Sequence, residues 1–238
     1  MALTIRRIPR KIELSARHIQ IRKHDLAIVL QKISPHPSPK VTLEQYTTPA
    51  DLAAEILFSA CYSHDDIQCK RVLDLGTGTG RLAIGASILG AAYVVGIDLD
   101  ADSIKLASVA AKSLGACVDF VLGDVGIIHG SVETVLMNPP FGTKKPHADL
   151  RFLECALRLG NVVYSIHKSS TRQFLKGWLH NRGLNAQIIA AKIEIPHQHD
   201  YHRKPKQAVE VDVLRVARGN GSTCTQAGLE KAVVSRSA

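Results

Sequence analysis

Leu26, Val29, Leu30 and Ile33 recur at the three-to-four spacing of a helix face, just behind Asp25, a residue type that caps helix starts. The spacing predicts a first helix there, with Asp25 as its N-cap. Pro35, Pro37 and Pro39 follow. Proline has no N–H and pushes its predecessor out of helical geometry, so an extended linker is expected. Thr48-Pro49 opens a second helix that carries Leu52, Ala53, Ile56 and Leu57 on one side. From Arg71 the pattern changes. Short apolar runs at Arg71–Leu75, Tyr93–Asp98, Cys117–Leu122, Val132–Met137, Asn161–Ile166, Ala186–Glu194 and Val209–Val216 read as seven strands. Helical segments near 81–89, 101–113, 149–160 and 169–182 lie between them. Apolar strands separated by helices imply a parallel sheet covered on both faces. The last two runs have no helix between them and should pair antiparallel. The fold class expected is therefore α/β and Rossmann-like, a seven-stranded mostly parallel sheet with an antiparallel last strand.

Charge adds the domain organisation and a class of partner. The chain carries a net charge of +9 over 238 residues. A basic protein attracts polyanions, and phosphate neutralisation releases counterions. The excess is local: residues 1–24 hold seven Lys/Arg against one acid, and residues 167–206 hold eight against two. Residues 1–24 read as a flexible basic arm, 25–218 as the folded domain, and the Gly/Ser/Thr-rich 219–238 as a disordered tail. No apolar run approaches the roughly 20 residues of a membrane span, and no secretory signal is apparent. Five cysteines without a C-x-x-C pair argue against a zinc site or a disulfide framework and fit a reducing cytoplasm.

The candidate chemistry begins at the first strand. Asp74-Leu-Gly76-Thr-Gly78-Thr-Gly80 joins it to a helix, and alternate glycines let the backbone turn sharply and approach a ligand. Arg81 stands where a dinucleotide fingerprint needs glycine, and Ala86 where a phosphate-binding loop needs lysine. The second strand ends at Asp98, where a carboxylate can accept both ribose hydroxyls. Asp100 beyond it reads as a helix N-cap. Asp124 follows the third strand and could accept the amine of a cofactor adenine. All three sit at the carboxyl ends of consecutive strands, where open α/β sheets bind ligands.

Together Asp74-x-Gly76-x-Gly78-x-Gly80, Asp98 and Asp124 resemble class I S-adenosylmethionine methyltransferases. Fourteen residues past Asp124, the fourth strand ends in Asn138-Pro139-Pro140-Phe141. That tetrapeptide is similar to those of enzymes that methylate exocyclic adenine nitrogens or the glutamine side chain. The chemistry suits those residues. The adenine amine is a weak nucleophile because its lone pair is delocalised into the ring. The Asn138 side-chain oxygen and the Pro139 carbonyl can accept its two N–H groups and favour a pyramidal nitrogen. The prolines preorganise those acceptors. Phe141 can stack on the base and exclude water. In-line transfer then needs positioning more than a strong base, and no metal.

Five segments agree in order with one family: Leu43–Pro49, Asn138–Lys144, Tyr164–Arg172, Tyr201–Lys204 and Val209–Arg215. On them, residues 25–217 resemble the methyltransferase-like protein 5 family of small-subunit ribosomal RNA adenine-N6 methyltransferases, with Asp25–Val41 similar to its archaeal branch. The resemblance implies cofactor contacts at Gln45, Thr48, Gly76, Thr79, Arg81, Asp98, Asp124 and Val125, and target-base roles for Asn138, Pro139, Pro140 and Phe141. Thr77 and Thr79 stand where eukaryotic members have cysteines, tolerable where backbone groups bind. His167, Lys168, Arg172, His202, Arg203 and Lys204 flank that face and are expected to contact phosphates. His197 and His199 read as surface. The resemblance also implies a small zinc-binding activator of the Trm112 type. Residues 117–122 should form an edge strand onto which it could add a strand, so a charge at Val118 or Phe120 should weaken docking if that side chain faces the partner. Two alternatives stay open: a protein glutamine-N5 methyltransferase, and a non-catalytic RNA-binding or ribosome assembly factor. A DNA adenine methyltransferase is weakened because no duplex-reading insertion is evident.

Overall fold

In a computed structural model, residues 3–4, 21–142, 147–195 and 209–218 are described. Seven strands form one sheet: β1 (Arg71–Leu75), β2 (Tyr93–Asp98), β3 (Asp119–Leu122), β4 (Val132–Met137), β5 (Gly160–Lys168), β6 (Ala186–Ile195) and β7 (Val209–Ala217). Their spatial order is β3-β2-β1-β4-β5-β7-β6. The pairs from β3 through β5 are parallel, and β7 runs antiparallel to both β5 and β6. The last strand thus inserts beside β5 and leaves β6 at one edge, with β3 at the other. Among the described residues no helix is long and apolar enough to cross a membrane.

Among the described residues six helices cover the sheet: α1 (Lys23–Gln31), α2 (Ala50–Phe58), α3 (Arg81–Ile88), α4 (Ala101–Ser113), α5 (Ala148–Leu159) and α6 (Arg172–His180). Successive strand residues point to opposite faces, and the two cores follow that alternation. Val72, Val94, Leu136, Tyr164 and Val213 join the core shared with α1, α2 and α3. Leu73, Val95, Val135, Val163 and Leu214 join the one shared with α5 and α6. A buried network ties the first core together: Asp66 accepts Tyr164 Oη–H at 2.6 Å and Arg215 Nε–H at 2.9 Å.

Several boundaries differ from the sequence expectation for local reasons. Asp25 is not the N-cap of α1. The helix starts at Lys23 with Arg22 in the cap position, and Arg22 donates to the Asp25 carboxylate at 2.7 and 3.0 Å. Lys23 pairs with Glu55 of α2, which ties down the added turn. The third strand begins at Asp119 because Cys117 N–H bonds the Ser87 hydroxyl at 2.9 Å instead of a neighbouring strand. β5 runs on to Lys168 because β7 pairs with it as far as Lys168↔Val211. Before α6, Ser169–Thr171 forms a separate 3-10 turn. Of the expected basic arm, Leu3–Thr4 pairs in parallel with Ile128–His129, and Lys23 and His24 belong to α1. Most of that arm and the 219–238 tail lie outside the described residues.

Candidate active site

Parallel strands bring their carboxyl ends to one edge. There the ends of β1, β2, β3 and β4 open onto a cavity of about 350 Å³, within the roughly 300–1,000 Å³ of small-molecule sites. Gln45, Thr48, Asp74, Gly76, Gly78, Thr79, Arg81, Asp98, Asp124, Val125 and Asn138 all border it, so the structure brings together residues that lie as far apart in the chain as Gln45 and Asn138. Gly80 lies just behind, at the N-cap of α3.

Gly76 and Gly78 turn the chain with φ of 70° and 54°, in the left-handed region that disfavours side chains. At Gly76 the exclusion is double, because a Cβ would also stand 3.0 Å from the Phe152 ring. Beneath the turn, the buried Asp74 carboxylate accepts the Thr77 hydroxyl at 2.7 Å and the Ala83 N–H at 3.1 Å. Burial pushes its pKa up to about 7. Asp74 thereby braces the loop from below. Asp98 accepts Gly78 N–H at 2.8 Å and Asp100 N–H at 2.9 Å, which fixes the carboxylate against the loop. Burial raises its pKa against these bonds. A carboxylate has about four acceptor sites, so Asp98 keeps capacity for a diol in the cavity. Asp124 caps the short turn Val125–Ile127, accepting Gly126 N–H at 2.8 Å, and pairs with Arg151 of α5.

The linker between α1 and α2 lies along the cavity as a strap, held at two points. Arg81 donates to the Thr48 carbonyl at 2.5 Å and to the Ile33 carbonyl. Asp100, only 2% exposed, receives the Lys40 ammonium, the Gln45 amide at 2.9 Å and the Ser103 hydroxyl at 2.9 Å. Burial alone would raise the Asp100 pKa, but these donors hold it well below the usual carboxylate range. Gln45 and Arg81 therefore border the cavity while their donors stitch the strap to α3 and α4.

Asn138 closes β4. Its side-chain Nδ2 donates to Thr48 Oγ1 at 3.0 Å and leans toward the Tyr46 carbonyl at 3.5 Å. A carbonyl oxygen can only accept, so the amide nitrogen faces the strap and the acceptor Oδ1 is turned away from it. Phe141 stacks with Tyr46 at 5.6 Å between centroids and 21° between planes. Lys168 at the end of β5 stands 5.7 Å over the Phe141 ring. An aromatic, cation-topped wall thus adjoins an oriented amide acceptor.

The expected phosphate contacts divide. His167 is 1% exposed. Its Nε2 lies 2.7 Å from Ser165 Oγ, and its Nδ1 faces Asp149, whose pKa it lowers. The period-2 alternation of β5 turns this ring into the sheet's own core, so it is not a phosphate contact. Arg172 is already paired within the fold. It forms a two-point pair with the buried Asp212 at 2.6 and 2.7 Å, which occupies Nε and Nη2. Lys168 keeps the expected position beside Phe141. His202, Arg203 and Lys204 lie outside the described residues. Tyr46, Arg151 and Phe152 line the cavity and were not expected there. Tyr46 was legible only as the aromatic inside Gln45–Thr48. Arg151 and Phe152 carried no signal, because they reach the site through the packing of α5.

Comparison with known proteins adds four findings. A family model for ribosomal protein L11 methyltransferase (PrmA) matches residues 58–121. The rRNA N(6)-adenosine-methyltransferase Mettl5 of Drosophila melanogaster is 39% identical over 211 residues, 84% of this chain and 98% of that protein. METTL5 of Danio rerio is 36% identical over 205 residues, 80% of this chain and 96% of that one. The crystal structure of a candidate RNA methyltransferase from Pyrococcus horikoshii is 39% identical with a TM-score of 0.76, covering 84% and 99% of the two chains.

Proposed function

The chain belongs to the METTL5 family of rRNA N6-adenosine methyltransferases, and on that premise we propose that it methylates N6 of an adenosine in small-subunit ribosomal RNA. S-adenosylmethionine is the cofactor of this class. Bound, it supplies an electrophilic methyl group on a sulfonium with a neutral leaving group. The residues present fit it. Asp98 offers acceptor capacity for a ribose diol, Asp124 and Val125 also border the cavity, and Gly76 and Gly78 leave the backbone of the turn open to it.

One observation carries the assignment to an amine acceptor: the orientation of the Asn138 amide. With Nδ2 committed to the strap, Oδ1 and the Pro139 carbonyl are the acceptors for the two N–H groups of an adenine amine. Holding both frees the nitrogen lone pair from the ring and aims it along the transfer line. Because those acceptors are set before the substrate arrives, no reorganisation is needed at the moment of reaction. The stacked Tyr46–Phe141 pair brings an aromatic group beside these acceptors, with Tyr46 on the cavity wall. A target adenosine has to be unpaired or flipped out, since pairing occupies the amine and stacking bars the pocket.

Incubation with labelled S-adenosylmethionine and deproteinised small ribosomal subunits, followed by nucleoside analysis, tests this reading. N6-methyladenosine is expected. Asn138→Ala should lose about 10²-fold or more in turnover, as for removal of a preorganised donor in other enzymes, with cofactor affinity near normal. Labelling of a ribosomal release factor and not of RNA would hand the site to the glutamine alternative.

The same reading includes a small zinc-binding partner of the Trm112 type on the β3 edge. Among the described strands β3 pairs only with β2, and Leu122 on it is 56% exposed. Phe120 and Val118 instead pack into the helix-side core, where the Phe120 ring crosses Gly96. A charge at Leu122 is therefore the informative change, since one at Phe120 would disturb the fold. The cytoplasm is the compartment proposed, a reading supported by the free cysteines Cys61, Cys69, Cys117 and Cys155.

A further inference from the structure

Helix α6 leaves the active-site edge only four residues after Lys168. Leu175 and Leu179 anchor it in the core. Its other side carries Phe174 and Gly177, which folding does not require, beside Trp178, which packs in part against the second core. Phe174, beside the buried Leu175 in the first turn, is 54% exposed. Trp178 lies one turn on, half-buried, with the Arg182 guanidinium stacked 3.6 Å from the centre of its ring. Between them sits Gly177. Its φ is not in the left-handed region, and nothing lies within 4 Å of where its Cβ would be. Glycine inside a helix destabilises it relative to alanine, and here neither backbone geometry nor packing calls for it. A bare backbone suits a surface that another molecule approaches closely.

Charge identifies the occupant. From Cys155 to Ile193 the chain has no aspartate or glutamate. Of the cations in that stretch, Arg172 and Arg182 pair with Asp212 and Glu154 and Arg158 bonds the Ile128 carbonyl, while Lys168 and Lys176 add positive charge at the helix. We propose that the Phe174–Gly177–Trp178 face of α6 is a stacking platform for the single-stranded RNA flanking the target adenosine, with Lys168 and Lys176 holding its phosphates. Phe174 and Trp178 are about 6 Å apart along the helix axis at 1.5 Å rise per residue. Six residues separate Lys168 from Phe174, which caps their distance at roughly 20 Å, a few nucleotides from the base held at Phe141. Aromatic faces accept any base, so the platform supplies affinity and register with little sequence preference.

This inference rests on the RNA reading of the site, and the experiment separates the two. Wild type, Gly177→Ala, Phe174→Ala and Lys176→Ala are compared on a ribosomal RNA fragment with its flanking strands and on a short oligonucleotide carrying the same adenosine. On the long fragment, Phe174→Ala should weaken binding about tenfold, the size of one base–aromatic stack. Lys176→Ala should reduce the salt slope by about one. Gly177→Ala should raise the melting temperature and yet weaken the long fragment, a combination that a purely structural glycine would not give. Cofactor affinity, turnover at saturating RNA and the short oligonucleotide should be unchanged. Unaltered affinity for the long fragment in Gly177→Ala and Phe174→Ala, or equal losses on both RNAs, overturns the platform while leaving the RNA assignment standing. A wild-type enzyme that methylates neither RNA overturns both.

Discussion

Thr48 is the residue whose replacement best separates two roles. The family resemblance makes it a cofactor contact, whereas the geometry makes it the anchor of Asn138. Its hydroxyl, in a side chain only 7% exposed, accepts the Asn138 amide N–H at 3.0 Å. The alternative partner, the Tyr46 carbonyl, is at the long limit of 3.5 Å. Thr48→Val is close to isosteric and removes the acceptor. It leaves the Thr48 carbonyl, and hence the Arg81 bond that pins the strap. A neutral hydrogen bond contributes about 0.5–1.5 kcal/mol, and 1.36 kcal/mol is tenfold in rate, so turnover should fall by a factor between about 2 and 13. A full amide flip would set Oδ1 against the Tyr46 carbonyl, lone pair against lone pair. The loss is therefore bounded well below that of Asn138→Ala. Single-turnover kinetics with saturating RNA give the rate, and calorimetry gives the cofactor affinity, which should stay near wild type. Thr48→Ser should restore the rate. Normal turnover with weakened cofactor binding in Thr48→Val, or failure of serine to rescue, would refute the positioning role.

Three further outcomes follow from the same geometry. Asp98→Ala should weaken cofactor binding by about 1.5–3 kcal/mol, the value of hydrogen bonds to a charged group; calorimetry on the folded variant measures it, and unchanged affinity would place the cofactor elsewhere. Arg172→Ala removes the counter-charge from buried Asp212, which keeps the Ser169 hydroxyl as a donor, and should destabilise the fold because a buried carboxylate loses its partner cation. Denaturant unfolding checks this, and a stable variant with weakened RNA binding would restore the phosphate role. Asp74 has a pKa raised to about 7 by burial. A carboxyl that holds its proton more tightly folded than unfolded contributes stability that is present below its unfolded pKa, roughly 4, and lost as pH rises through its folded one. The stability of Asp74→Asn relative to wild type should therefore grow between about pH 4 and pH 7 and then level off; a flat difference across that window would mean that Asp74 is charged in the fold throughout.

Local sequence determined most of the architecture. Parallel strands buried on both faces need continuous apolar runs, so β1, β2 and β4 were readable to the residue, and the glycine turn, Asp98 and Asn138-Pro-Pro-Phe141 marked one edge. These signals lie within a few residues of one another, where backbone geometry and side-chain periodicity act directly. Only tertiary structure decided which polar groups spend their bonds on each other. His167 and Arg172 read as surface cations because their charge is local information, while their partners Asp149 and Asp212 arrive from α5 and from the inserted last strand. Gln45 and Arg81 hold a strap because α3 and α4 bring Asp100 and the Arg81 side chain against it. The orientation of the Asn138 amide likewise depends on Tyr46 and Thr48, about ninety residues earlier in the chain. Hydrogen-bond direction is a property of contacts between distant segments, and no periodicity along one segment encodes it.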